Sequence, residues 1–124
     1  MQREGGIVLA DVERIALLPR FTPLVGAMTF NTKIYDVSKY SSAKLVAWVG
    51  AGNGTSPAVS FQVQESTDMT IWSDVDAPLE PTAGTEATAT SDLTQKWMRI
   101  AVTVSGTDPA VSCWLSGEFI LRAR

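Results

Sequence analysis

The residues that could do chemistry in this chain are a few carboxylates, one thiol and a set of indoles. Glu65, Asp74 and Asp76 lie close in sequence, and Asp74 and Asp76 share a side of an extended segment. Glycoside hydrolysis needs two carboxyl groups flanking a cleft at a separation set by the mechanism. These acids fall in or beside turns with no cleft implied between them, so no catalytic residue is assigned. Cys113 is the only cysteine. It cannot form an intramolecular disulfide, and its apolar neighbours mark an inert buried thiol. Histidine is absent, which removes the commonest general base and zinc ligand, and any Ser-His-Asp or Cys-His site within the chain. Asp74-x-Asp76 offers oxygen ligands of the kind calcium takes, but that spacing alone does not make a site. The expectation is a protein that is not an enzyme and has no cofactor and no metal.

The indoles are the more informative set. There are four tryptophans. Trp97 shares parity with Arg99, Ala101 and Thr103, opposite the apolar stripe Met98, Ile100, Val102, Val104. Trp114 shares parity with Ser112, Ser116 and Glu118, opposite the stripe Val111, Cys113, Leu115. Strand alternation therefore places both on an outer face. Trp72 follows a turn and is expected to pack back onto the core; Trp48 is ambiguous because both faces of its segment are apolar. Outward indoles can be covered by another segment or subunit, stand half-exposed, or form a platform for stacking sugar rings.

Charge narrows the partners. The net charge is −3, and from Leu45 to Gln95 there is no Lys or Arg. That stretch carries Glu65, Asp68, Asp74, Asp76, Glu80, Glu86 and Asp92. A nucleic-acid binder needs a basic stripe, and none is present. The acids read as solvated loops or as a face that meets a basic partner. No run approaches the ~18 consecutive apolar residues of a membrane span, and the polar start makes a poor signal peptide, so synthesis in the cytosol is expected.

The elements that hold these residues are β throughout from Met28. A chain of 124 residues is one domain on length. Gly54-Thr55-Ser56-Pro57-Ala58-Val59-Ser60 recurs as Gly106-Thr107-Asp108-Pro109-Ala110-Val111-Ser112, differing only at Ser56 and Asp108. Each copy follows an apolar run and leads into an alternating one, so the pattern reads as the same β-hairpin written twice. Gly50-Ala51-Gly52-Asn53-Gly54 is a flexible loop, not a phosphate loop, since no Gly-Lys-Ser/Thr follows. Turn signals about every ten residues predict an all-β fold: a single antiparallel β-sandwich, jelly-roll-like, of about eight strands. Residues 1–27 differ. Pro19 and Pro23 break them, and the stretch between Gly6 and Pro19 could hold a short strand at Ile7 and Leu9 or a short helix capped by Asp11. This predicts an extended N-terminal arm at 1–27 and a sandwich domain at 28–124. The arm's apolar side chains need burial against its own domain or a neighbouring subunit.

Two stretches carry a resemblance. Val59-Ser60-Phe61-Gln62-Val63-Gln64-Glu65-Ser66-Thr67-Asp68-Met69-Thr70-Ile71-Trp72 is a strand ending in Glu-Ser-x-Asp, a turn and a Trp. Trp97-Met98-Arg99-Ile100-Ala101-Val102-Thr103-Val104 is an aromatic-x-Arg-hydrophobic strand. Together with Tyr35-Asp36-Val37-Ser38-Lys39-Tyr40, these resemble small β-sandwich proteins of tailed-phage virions, including head-decoration (cement) proteins. The phage versions often have Gly where this chain has Met69. The resemblance implies a capsid decoration protein that binds the assembled head through the major capsid protein or other virion subunits. It also implies a homo-oligomer, trimer or dimer, at the capsid surface, with no nucleic-acid or membrane partner. The contacts expected to carry this are Ile7, Leu9, Val12, Ile15 and Leu18 of the arm, with Trp97 and Trp114. The alternatives are a carbohydrate-binding or adhesion module, and a tail, collar or adaptor component.

Overall fold

The computed structural model describes residues 12–122. Its elements are β1 (Val12–Val25), β2 (Met28–Asn31), β3 (Tyr35–Asp36), β4 (Tyr40–Val49), β5 (Asn53–Ser66), β6 (Ser73–Leu79), β7 (Ala87–Asp92) and β8 (Trp97–Leu121). All belong to one antiparallel sheet of eight strands, which doubles over its own core as the sandwich the turn spacing predicts.

The sheet is organised around β8, 25 residues long. On one flank β4 and then β5 run antiparallel to it, from Tyr40 opposite Leu121 to Ser66 opposite Trp97. On the other flank β1, β2 and β3 do the same, from Val12 opposite Ile120 to Asp36 opposite Trp97. Val104 thus lies between Met28 and Val59, and Phe119 between Glu13 and Ala43. Beyond these rails, β6 adds to β5 and β7 to β4 as the outermost strands.

The core shows how the sheet closes. Met98, Ile100, Val102 and Val104 share one buried cluster with Val111, Cys113, Leu115 and Phe119. Two halves of one strand can face the same interior only if the strand bends back between them. The inward residues change from even to odd numbers across residues 105–108, which are exposed on both faces. Strands that pass from one sheet layer to the other through such bends make the corners of a sandwich.

The repeated heptapeptide is this corner. Thr55 pairs with Thr107 and Ala58 with Ser105, so the two copies lie against each other. Gly54 and Ser56 have φ of 100 and 51, and Gly106 and Asp108 have φ of 117 and 48, so both copies bend alike. Their approach is reciprocal: a Cβ on Gly54 would sit 2.5 Å from the Asp108 carbonyl oxygen, and one on Gly106 2.8 Å from that of Ser56. The repeat is therefore not a hairpin written twice. Each copy is interior to a long strand, and its Gly and Pro, which also punctuate hairpins, here turn a continuous strand through a corner.

The N-terminal region also differs from expectation. Residues 12–25 are neither an arm nor a helix but strand β1, paired along β8, with Leu17 and Leu24 buried in the core. The boundary drawn at residue 27 does not set them apart from the sheet. Pro19 and Pro23 are tolerated because, among the described residues, β1 has no ladder on its far side and carries bulges. Tyr40 fastens its start, donating its hydroxyl to the Glu13 carboxylate, with Lys39 Nζ 3.5 Å from the same group. Ile7 and Leu9 lie outside the described residues.

Candidate functional site

The outer face of the 110–121 half of β8 carries the densest set of chemically distinctive side chains. Trp48 of β4 stands directly opposite Trp114 of β8. Beside Trp114, β1 bulges. Leu18 pairs with Leu115 and Thr22 with Cys113, so Pro19, Arg20 and Phe21 oppose Trp114 alone. Thr22 Oγ1 closes the bulge by donating to the Pro19 carbonyl at 2.6 Å, and Phe21 takes a left-handed φ of 60. The bulge lays the Arg20 guanidinium over the Trp114 ring, 4.7 Å from its centroid, and leaves Phe21 70% exposed. Bulges on edge strands re-aim side chains in this way, often next to functional sites.

Gly50 sets the pose of Trp48. A Cβ there would meet Trp48 Cη2 at 2.9 Å and Ser112 Oγ at 3.0 Å. The indole therefore runs along its own strand over a position without a side chain. Arg20, Phe21, Trp48, Glu86 and Trp114 together line an open cleft of about 210 Å³.

The other two tryptophans lie elsewhere. Trp72 does not pack into the core. It stacks with Arg99, whose guanidinium carbon is 4.3 Å from the ring centroid, and Arg99 Nε donates to Gln64 Oε1 at 2.8 Å. The Gln64 amide in turn donates to Asp74 Oδ1 at 2.9 Å. Arg99 stands on the outer face opposite the Met98 stripe, and its charged, planar head gives the indole a better partner there than the filled interior. Trp97 is half-buried under Lys96, 5.0 Å away, on the opposite half of β8 from Trp114. Ile15 and Leu18 are partly buried and pack against the core, and Val12 pairs with Ile120.

The acids do not form a hydrolytic pair. Glu65 points inward and is buried, accepting from Thr94 Oγ1 at 2.6 Å and Thr94 N at 3.1 Å. Asp74 is on the outer face, and Asp76 takes a φ of 60 that breaks the alternation of β6. Glu65 and Asp68 line one hollow of about 230 Å³, but their oxygens hold its walls together. Asp68 Oδ1 accepts from the N–H groups of Thr70 and Ile71 and from Ser66 Oγ. The Ile71 and Thr70 amides hold the Asp68 carboxyl below its ordinary range. Ser66 Oγ also accepts from Met69 N, which fixes Met69 at φ 63. The Glu-Ser-x-Asp segment is thus a turn clamp. Among the described residues no cluster of three or more His, Cys, Asp or Glu could hold a metal ion. Cys113 is sealed in, and burial pushes its thiol up to about 11.

Sequence reading picked out Trp114 but not Arg20, Phe21 or Glu86. The available signal was Leu18-Pro19-Arg20-Phe21-Thr22-Pro23, where two prolines bracket an apolar and a basic residue in what proves to be an edge strand.

No family model and no curated protein matches the chain. Solved structures do. The chain superposes on infectious bursal disease virus-derived T=1 particles with a TM-score of 0.58 and 13% identity, over 89% of its length. It matches the infectious bursal disease virus VP2 subviral particle with a TM-score of 0.57 and 12% identity, again over 89%. The chain spans 31% and 32% of those two chains. The CBM22-1 xylan-binding domain of Paenibacillus barcinonensis Xyn10C follows at a TM-score of 0.48 and 13% identity, covering 90% of this chain and 87% of that one. The fold shared with the virus-particle chains is a β-sandwich.

Proposed function

We propose that this chain is a non-enzymatic virion structural protein that decorates an assembled particle head, made in the cytosol and docked on the major capsid protein or another virion subunit. The sandwich it shares with virus-particle chains over 89% of its length supports this reading. The observation that carries it is the tip between β5 and β6. There Met69 is 47% exposed at a left-handed φ of 63, and Ile71 is 74% exposed. Holding the Met69 side chain in that region costs about 1–2 kcal/mol, and both apolar side chains stay exposed in the isolated fold. A partner that buries both would repay the strain. The tip is preformed by the Ser66 and Asp68 clamp, so little ordering cost remains on docking. Asp74 and Asp76 on β6, and Asp92 at the end of β7, are exposed along the outermost strands, a charge pattern suited to a basic subunit surface. Val25, 72% exposed, and Ile34 lie on the opposite flank, where copies of a homo-oligomer would meet.

Particles purified from the chain's source provide the test. Labelled antibody should cover the head surface. Met69→Ser with Ile71→Ser should release the protein from particles while its unfolding midpoint stays put. Label confined to the tail or collar, or purified particles lacking the chain, would refute the decoration role.

A further inference from the structure

We infer that the Trp48 face is a saccharide-binding platform, a site separate from the Met69–Ile71 tip and independent of where the protein sits on a particle. The platform is built in three steps. Gly50 leaves room for the Trp48 indole to lie along the sheet, with its rim 2.9 Å from where a Cβ would stand; the side chain is half-buried and lines the open cleft. Trp114, directly across the ladder, is 9% exposed because Arg20 covers it. The pair therefore divides the work: one indole is free for stacking and the other is a pedestal for a guanidinium. The bulge at residues 19–21 then raises Phe21 as an apolar wall, and Glu86 faces it across the cleft.

A pyranose ring fits this chemistry. One of its faces is a patch of C–H groups that lies well on an aromatic surface, and its rim carries hydroxyls that both donate and accept. A guanidinium stacked on Trp114 keeps its edge N–H groups free as donors, and the Glu86 carboxylate accepts. The cleft of about 210 Å³ is smaller than the roughly 300–1,000 Å³ of drug-sized pockets and suits one or two sugar rings. Other planar ligands fit less well. A nucleobase would bring a phosphate toward Glu86 and a segment with no Lys or Arg from 45 to 95. A partner's cationic side chain would meet Arg20, which already holds the cation position on Trp114.

The test is titration of the whole chain with soluble oligosaccharides (β-1,4-glucan, β-1,4-xylan, N-acetylglucosamine and galactose series), followed by tryptophan fluorescence and backbone NMR shifts. At least one series should give saturable shifts centred on residues 48, 50, 112 and 114. Phe21→Ala should weaken it several-fold, and Trp48→Ala at least tenfold. Gly50→Ala keeps every aromatic but lifts Trp48 off the sheet, and should also weaken binding about tenfold. Because Phe21 is exposed, its variant remains informative if Trp48→Ala does not fold. Trp97→Ala should leave affinity unchanged. No saturable binding of any series at 10 mM wild-type titration limits, on the order of the weakest useful affinities, overturns the inference. So does affinity that survives both Phe21→Ala and Gly50→Ala. Particle labelling is a separate readout, so either proposal can fail without the other.

Discussion

If the two heptapeptide copies close the corner by pressing backbone on backbone, alanine at either glycine should be far more costly than at a glycine that needs only its torsion. Gly54 has φ 100 and Gly84 has φ 82, so alanine is strained at both. Their surroundings differ. A Cβ at Gly54 meets the Asp108 and Thr107 carbonyl oxygens at 2.5 and 2.7 Å, whereas one at Gly84 meets nothing within 4 Å. The torsional part costs about 1–2 kcal/mol at either position. At Gly54 the obstacle is main chain that cannot swing aside, and overpacking of that kind adds roughly 1–3 kcal/mol. Gly84→Ala should therefore lose about 1–2 kcal/mol and Gly54→Ala about 2–5 kcal/mol, out of a typical total of about 5–15 kcal/mol. With a urea m value of about 2 kcal/mol per M, the midpoints fall by about 0.5–1 M and 1–2.5 M. Urea unfolding followed by tryptophan emission reads both. Gly106→Ala, blocked by the Ser56 and Thr55 carbonyls at 2.8 Å, should match Gly54→Ala. The double variant should cost less than the sum, because the first insertion opens the seam for the second. Equal losses at Gly54 and Gly84, or strict additivity of Gly54 and Gly106, would show that the copies do not support each other.

Met69→Gly should stabilise the isolated protein by about 0.5–1 kcal/mol, since relief of the left-handed strain outweighs the added freedom of the unfolded glycine; a lower urea midpoint would contradict this. Stability should hold up to pH 9 and then fall, because burial raises Cys113 from 9.0 to about 11, and burial with the Glu13 bond raises Tyr40 from 10.0 to about 12. Both groups prefer their neutral form in the fold, so their contributions are complete below the unfolded values and are lost as pH rises through 9–12. Tyr40→Phe should flatten the upper part of that decline in a pH series of thermal melts, and an unchanged profile would count against it. Arg20→Ala should red-shift Trp114 emission while costing no more than about 1 kcal/mol, the range of an exposed cation–π contact; an emission maximum that stays put would mean that Arg20 does not cover the indole.

The stripes at Met98–Val104 and Val111–Leu115 were legible because a buried strand face must alternate, and both fill one core. Trp114 was legible by the same parity. The corner was misread because a Gly-Thr-x-Pro segment looks alike whether it ends a strand or bends one; the difference lies in a partner copy 52 residues away, which local pattern does not reveal. β1 was misread because prolines argue against a strand only where the ladder continues on both sides. Met69 shows what substitution at a glycine-favoring position means physically: the turn keeps its φ of 63, and the side chain is carried there at a cost. Trp48 was ambiguous because both faces of its segment are apolar, and its pose rests on Gly50, an empty shelf beneath the indole. Glu86 and Arg20 reach one cleft from the start of β7 and from β1, two strands that do not pair.

The central position of β8 has a consequence for how the molecule comes to exist. Every strand except β6 and β7 pairs directly with it, and its partners lie far back in the chain: Val12 with Ile120, Tyr40 with Leu121. During synthesis the ribosome releases β1 to β7 first, and of their ladders only β5 with β6 and β4 with β7 can form. The rest must wait, with apolar faces and open edges exposed, until residues 97–121 emerge. Such long-range pairing is slow to form and prone to misassociation meanwhile. Folding should therefore run as a late, nearly all-or-none closure, in which slower translation or lower temperature raises the yield of soluble protein more than added stability does.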